Sequence, residues 1–105
     1  SLANMDTNKY APDPNRRKEP LENYALESLK MTGFLNSTTG PQAIVLSVDK
    51  VTHFINVGNY AGKNYGQVTK IIEGQMILEE RVISADGAWT LREAVVYLED
   101  GSKKR

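Results

Sequence analysis

The sequence contains no cysteine and a single histidine, His53, among its 105 residues. The absence of cysteine excludes disulfides, thiolate metal sites and cysteine nucleophiles from this chain. A usual zinc site takes three or four ligands, which one histidine without cysteine does not supply. The adjacent carboxylates Glu79 and Glu80 point to opposite faces of a strand, so they do not form a general acid and base and are expected to be solvated. We therefore predict no catalytic residues, no metal and no cofactor.

Long apolar runs and an excess of charge of one sign are missing as well. No apolar stretch comes near the roughly 18 residues that a membrane-spanning helix needs. Thirteen Lys and Arg balance thirteen Asp and Glu, so the formal net charge at pH 7 is zero. Binding to a nucleic-acid backbone depends on a clustered excess of cationic side chains, and the balance argues against a polyanion as the main partner.

Composition divides the chain into three parts. Three of its four prolines and the basic run at 16–18 fall in the first 20 residues, where large apolar side chains are few. Such a stretch buries too little apolar surface to offset an ordering entropy of about 1–2 kcal/mol per residue. We predict a flexible arm over residues 1–24, a folded domain over 25–99 and a disordered tail over 100–105.

The folded part shows short strands separated by turns. Apolar and polar residues alternate over 29–35, a β-rich apolar run at 43–48 suits a strand buried on both faces, and the pair at 49–50 is short enough to close a hairpin. Gly74 joins two later runs and is expected to have a positive φ. The fold class predicted is all-β, a small β-sandwich of six to seven short, mostly antiparallel strands.

Phe54 is the candidate contact on the surface of this domain. If the strand covers 51–57, then Val51, His53, Ile55 and Val57 share the core face. The strand period turns Phe54 outward. An outward aromatic side chain is a candidate contact for a protein partner, although single exposed apolar residues are common on protein surfaces. Both interpretations stay open at this point.

Three glycines at four-residue spacing interrupt regular structure around Tyr60. A phosphate-binding loop would need a Gly-Lys-Ser/Thr sequence and a helix that presents its amides, and neither follows. We interpret the segment as a structural turn formed by Gly58, Tyr60, Gly62 and Gly66.

An ordered series of motifs resembles the PilP family, inner-membrane lipoproteins of type IV pilus assembly. The resemblance covers about residues 16–98. Its motifs are Arg17-Lys-Glu-Pro-Leu-Glu, Tyr24-x-Leu-x-x-Leu29, Gly40-Pro-Gln-Ala-Ile-Val45, Val57-Gly-Asn-Tyr-Ala-Gly62-x-x-x-Gly66 and Gly87-x-Trp89. No single motif is decisive, but their order is specific.

The resemblance implies a periplasmic adaptor without enzymatic activity, whose β-sandwich is similar to the homology region of the type II secretion component GspC. Members are anchored by lipidation in the inner membrane, bind the PilN and PilO pair through an N-terminal arm, and contact the outer-membrane secretin PilQ through the β-domain. The lipid-bearing cysteine and its signal peptide are missing here, so we expect an excised fragment. Carried onto this sequence, the arm role falls on Arg16, Arg17, Lys18, Pro20, Leu21 and Tyr24.

Two other functions compete with the adaptor. An oligonucleotide-binding β-barrel would stack bases on Phe54, Tyr60 and Tyr65 near lysines, but the acidic residues between Glu73 and Glu99 would repel a phosphate backbone. A small hydrolase would need a catalytic site that these residues do not supply. The predicted partners are therefore PilN, PilO and PilQ, with no nucleic acid, no small-molecule substrate, and membrane contact only through the absent lipid anchor.

Overall fold

A computed structural model describes residues 9–99 of the chain. Two 3₁₀ turns, η1 (Pro20–Asn23) and η2 (Leu26–Ser28), precede the strands. The strands are β1 (Lys30–Ser37), β2 (Gly40–Leu46), β3 (Thr52–Asn56), β4 (Tyr60–Ala61), β5 (Gly66–Ile72), β6 (Gln75–Ile83) and β7 (Trp89–Tyr97). The prediction of an all-β protein with six to seven strands is confirmed. The predicted tail at 100–105 lies outside the described residues, as do residues 1–8 of the predicted arm.

The strands form two antiparallel sheets packed as a sandwich. Sheet A has the order β1-β2-β3, and sheet B has the order β4-β5-β6-β7. The two sheets meet at one edge, where Met31 of β1 forms a parallel bridge with Leu98, and the Glu99 N–H donates to the Met31 carbonyl at 2.8 Å. This bridge covers the start of β1, and β3 forms the other edge of sheet A.

The core lies between the sheets and takes alternate residues from each strand. On β2, Ala43 and Val45 are fully buried, whereas Ile44 is only half-buried. The prediction that the run 43–48 is buried on both faces is therefore wrong, because a strand of a two-layer sandwich has a partner sheet on one face only. Val48 lies beyond the end of β2 and is 65% exposed. The largest fully buried side chains are Met31, Met76, Leu78, Val45 and Val68.

The folded domain begins before the predicted boundary at residue 25. Leu21 is only 3% exposed and belongs to the main core cluster, and its carbonyl accepts the Gly62 N–H at 3.0 Å. Arg81 of β6 donates to the carbonyl of Tyr10 at 2.9 Å. These contacts hold the segment before β1 against sheet B. They were not visible in the composition, because their partners lie far along the chain and one buried leucine does not change the polar character of the segment.

The turns differ in part from those expected. Within residues 9–99, Gly74 is not among the residues with positive φ, whereas the non-glycine residues Lys50 and Tyr65 have φ of 70° and 57°. The Lys50 N–H donates to the Ser47 carbonyl at 2.9 Å and helps to close the β2–β3 hairpin. The sequence had predicted a hairpin at this place, and its closure puts a non-glycine residue in the left-handed region.

Replacing Leu21 with alanine is expected to lower the free energy of unfolding by about 2–5 kcal/mol, because a buried leucine loses its transfer free energy and leaves a cavity. Urea denaturation of the full chain, followed by circular dichroism, measures the change. The matched control Val48→Ala shortens an exposed side chain and should change the free energy by less than about 0.5 kcal/mol. An effect of Leu21→Ala as small as that of the control would show that this segment is not part of the cooperative unit.

Candidate functional site

Arg16, expected to contact a partner as part of the flexible arm, is held by a buried carboxylate. Its guanidinium donates to both oxygens of Glu22, at 3.0 and 2.7 Å, and Glu22 is only 4% exposed. Glu22 Oε1 also accepts the Glu19 N–H at 2.8 Å, which ties the carboxylate to the start of η1. The guanidinium carbon lies 3.5 Å from the ring centroid of Tyr60, a cation–π contact. Arg16 is therefore used within the fold, where it joins the segment before η1 to β4.

The surroundings of Glu22 lower the pKa of its carboxyl below the ordinary value of 4.5. Burial is the largest single influence and acts in the opposite direction, because it penalises the charged form. The hydrogen bonds from Arg16 and from the Glu19 N–H, together with the positive charge of Arg16, outweigh it. The hydrogen bond to Glu22 in turn raises the pKa of Arg16. Both shifts favour the charged pair.

The other predicted arm residues divide into exposed and packed side chains. Tyr24 is half-buried: its ring lies edge-on to that of His53, with centroids 6.3 Å apart, and its hydroxyl donates to Asp49 Oδ2 at 2.7 Å. Tyr24 thus joins the end of η1 to the β2–β3 turn, and Leu21 lies in the core. The residues of the predicted set that remain exposed are Arg17, Lys18 and Pro20.

Phe54 points outward from sheet A, as the strand period predicted, and is 55% exposed. It stands in the middle of β3, directly opposite Ile44 of β2. Thr52 and Asn56 lie on the same face, and Asn56 accepts a hydrogen bond from Gln42 at 3.0 Å. Neither β2 nor β3 contains Asp, Glu, Lys or Arg. The outer face of these two strands around Phe54 is therefore uncharged.

The predicted core face of this strand is shorter than expected. Ile55 is buried, and His53 is half-buried with its Nε2 3.1 Å from the hydroxyl of Ser47. Val51 and Val57 were expected on the same face, but both are exposed. They lie just outside β3, where the chain turns away before either side chain can reach the core.

The glycine motif forms the close connections on both sides of β4. Gly58 and Gly62 have φ of 100° and 86°, a conformation that glycine adopts without a Cβ penalty. Gly66 does not lie in a turn: it begins β5, and a Cβ there would lie 2.9 Å from the carbonyl oxygen of Ala61. Tyr60 stands between these glycines and carries the ring that Arg16 covers. The two-residue strand β4 was not foreseen, because its pairing depends on this close approach.

Glu80, predicted to be solvated, is a second buried carboxylate. It is only 3% exposed, and its Oε1 accepts hydrogen bonds from Nη2 and Nε of Arg92 at 2.9 and 3.2 Å. Glu79 is exposed, so the two carboxylates do point to opposite faces as predicted. The error concerns the inner face, where Arg92 is the cross-strand partner of Glu80. This pairing depends on the register of β6 and β7, which the sequence analysis did not predict.

Two exposed surfaces are the candidate functional features of the described part of the chain. Within residues 9–99, no group of three or more His, Asp or Glu side chains is placed to hold a metal ion. No helix in that range is long and apolar enough to cross a membrane. The buried polar residues Glu22, Ser47 and Glu80 are all hydrogen-bonded within the fold. The candidate functional groups are the uncharged face around Phe54 and the exposed basic residues next to η1.

Sequence comparison identifies relatives in pilus assembly. The family model described as "Pilus assembly protein, PilP" matches residues 1–98. The type IV pilus inner membrane component PilP of Pseudomonas aeruginosa is 35% identical over 91 residues, which are 87% of this chain and 52% of that protein. The chain therefore spans about half the length of this curated relative.

Structural comparison agrees with the sequence. A domain of the type IV pilus biogenesis lipoprotein PilP from Pseudomonas aeruginosa has a TM-score of 0.75 and 34% identity, covering 83% of this chain and 99% of that one. The solution structure of a domain from the Neisseria meningitidis PilP pilot protein has a TM-score of 0.68 and 32% identity, covering 90% and 83%. The β-sandwich described above is the fold of these domains.

Gly66→Ala is expected to lower the free energy of unfolding by about 1–3 kcal/mol, because overpacking forces the β4–β5 pairing apart where the new Cβ meets the Ala61 carbonyl. The matched control is Gly74→Ala: nothing lies within 4 Å of a Cβ there. That change should be neutral or stabilise by up to about 1 kcal/mol through the unfolded chain. Urea denaturation measures both, and equal effects would contradict the close approach at Gly66.

Glu22→Gln is expected to weaken the dependence of stability on pH in acid. Because the folded pKa of Glu22 is depressed, its contribution is present above the unfolded value near 4.5 and is lost as the pH falls through the folded pKa. The unmodified chain should therefore lose more free energy of unfolding than the variant between about pH 6 and about pH 3. Glu27→Gln removes an exposed carboxylate and should follow the unmodified chain. Parallel curves for Glu22→Gln and the unmodified chain would contradict the stabilising pair.

Proposed function

The chain belongs to the PilP family of pilus assembly proteins, and from that membership we propose that it is a periplasmic adaptor of the type IV pilus machinery. In this proposal the protein joins the inner-membrane proteins PilN and PilO to the outer-membrane secretin PilQ. It acts by binding alone and has no enzymatic activity. It works in the periplasm, held near the inner membrane by a lipid anchor outside this sequence.

The observation that carries the proposal is the presence of two chemically different exposed surfaces on one folded domain. The outer face of β2 and β3 around Phe54 carries no charged side chain, whereas the segment before η1 exposes Arg17 and Lys18. The two surfaces suit different partners. An apolar surface binds a partner that buries it, whereas a charged surface binds a partner of opposite charge. A domain with both can hold two partners at the same time.

The basic surface consists of Arg17 and Lys18, which follow the anchored residue Arg16. Arg16 is bound to Glu22 and covers Tyr60, so charged contacts with a partner fall to Arg17 and Lys18. These two side chains fit a partner that presents an acidic surface. Exposed charges of this kind mainly determine the association rate and the choice of partner. We assign the PilN and PilO pair to this surface and PilQ to the face around Phe54.

The competing oligonucleotide-binding function gains no support from the geometry. Base stacking needs aromatic rings with a free face beside cationic side chains. The ring of Tyr60 is covered by Arg16, and that of Tyr65 packs edge-on against Trp89 with centroids 6.1 Å apart. Phe54 is freely exposed, but it lies on strands without lysine or arginine.

Capture experiments with the full chain test the adaptor. The double variant Arg17→Glu/Lys18→Glu is expected to weaken capture of the PilN and PilO pair by about tenfold or more and to retain PilQ, because it reverses the charge of the basic surface alone. Phe54→Ser is expected to weaken capture of PilQ and retain PilN and PilO. Pull-down followed by titration measures both.

Lys70→Glu is the matched control, since it reverses an exposed charge on β5 away from both surfaces. It should leave both interactions unchanged. Thermal unfolding of each variant separates loss of binding from loss of fold, and Phe54→Ser should melt like the unmodified chain because the ring is exposed. The proposal is wrong if the unmodified chain captures neither PilQ nor the PilN and PilO pair.

A further inference from the structure

We propose that the free edge of β3 binds an extended, uncharged segment of a protein partner by strand addition, with one apolar side chain of that segment in a groove between β3 and η1. This inference rests on the proposed function in taking a protein as the occupant. Beyond that function, the inference specifies which backbone groups make the contact, which groove accepts a side chain, and which kind of sequence fits.

The register of β2 and β3 directs the backbone groups of Thr52 and Phe54 away from the sheet. In an antiparallel pair, alternate residues bond to the neighbouring strand and the residues between them direct their N–H and C=O to the other side. Asn56 identifies the outward set: its N–H donates to Asn59 Oδ1 at 2.8 Å, and its carbonyl accepts the Asn59 N–H at 3.1 Å. Thr52 and Phe54 belong to the same set, and no residue within 9–99 bonds to their backbone groups. They form an open template for another strand.

This edge lacks the features that protect the other edges among the described strands. Natural sheets block edge pairing with bulges, charges, very short strands or covering segments. β1 has a bulge between Met31 and Gly33 and is bridged to Leu98. β4 has only two residues and is covered by η1, and β7 presents Arg92 and Glu93. β3 is a regular five-residue strand without proline, lysine or a bulge.

A groove of about 200 Å³ runs beside the same edge. One wall is formed by residues 53–55 of β3, and the other includes Pro20, Leu21 and Tyr60. Side chains of an added strand alternate between the two faces of the sheet. One set would therefore enter the groove toward buried Leu21, and the other would lie beside Phe54 on the outer face.

Charge selects the chemistry of the occupant. An ionised side chain laid beside Thr52 or Phe54 would lose hydration without meeting a counter-charge on β3, because this strand contains no Asp, Glu, Lys or Arg. On the outer face the side chains of an added strand would lie beside Phe54, an aromatic ring that pairs well with β-branched or aromatic neighbours. Glu19 lies at the rim of the groove, and its Oε1 accepts the Tyr60 N–H at 3.0 Å. The fitting segment is neutral, extended and apolar at alternate positions.

A second copy of the chain fits this edge less well than a single segment. The β3 strand of a second copy carries its own η1 wall along the edge that would have to pair. The two walls would meet before the strands could exchange hydrogen bonds. An extended segment that is free on both sides has no such wall and can enter the groove.

A short, capped peptide of alternating valine and threonine is the probe. Titrated into the ¹⁵N-labelled full chain, it should shift the amide signals of Thr52 and Phe54 in a saturable way. Thr52→Pro removes one outward N–H without removing a bond to β2, and Phe54→Lys places a charge on the edge. Each should raise the Kd by about tenfold or more. Ile83→Lys, which adds the same charge at an exposed apolar position of β6, is the matched control and should leave the Kd unchanged.

The same peptide with alternate backbone nitrogens methylated should not bind, because it cannot donate hydrogen bonds to the edge of β3. This test uses the unmodified protein and so does not depend on whether a variant folds. Strand addition is overturned if the peptide does not bind, if binding survives both Thr52→Pro and Phe54→Lys, or if light scattering shows a dimer that Phe54→Lys abolishes. If the peptide does not bind but PilQ is still captured, strand addition is overturned and the adaptor proposal stands. Peptide binding without capture of PilQ or of the PilN and PilO pair would overturn the adaptor and support the edge site.

Discussion

The buried carboxylate of Glu22 is the contact on which the arrangement of both candidate surfaces depends. It receives both arms of the Arg16 guanidinium and the Glu19 N–H while almost no part of it reaches solvent. Removing one partner from such a pair leaves an uncompensated buried charge, so the segment is strongly held once the pair has formed. Arg16 in turn covers Tyr60, and the start of η1 is thereby kept against β4. The position of η1 defines one wall of the groove beside β3.

This contact links two parts of the protein that the composition suggests are separate. The basic residues that follow Arg16 extend from a fixed point, and the edge of β3 faces the turn that the same ion pair holds. The proposed adaptor needs its binding surfaces in a constant relation to one another, and an ion pair with defined hydrogen-bond geometry supplies orientation as well as attachment. Leu21 adds apolar burial, which the ion pair by itself does not provide.

Sequence reasoning worked where a short-range pattern carries the information. The alternation of apolar and polar residues located β1, the apolar run at 43–48 located β2, and the strand period turned Phe54 outward. It failed at Leu21 and Glu80, which it left outside the core or in solvent. Both errors have one cause: burial of these residues depends on partners supplied by other segments, Gly62 for the first and Arg92 for the second. Local composition contains no record of such partners.

The sequence by itself determined the fold class, the neutral face of β2 and β3, and membership of the PilP family, because each of these depends on residue type and order along the chain. The tertiary structure alone decided which of the predicted arm residues stay available and which edge of the sandwich is open. A side chain is free or occupied only relative to what packs against it, and an edge is open only when no other strand or turn covers it. Arg16 and Arg17 are adjacent and chemically identical, yet one is bound within the fold and the other is exposed.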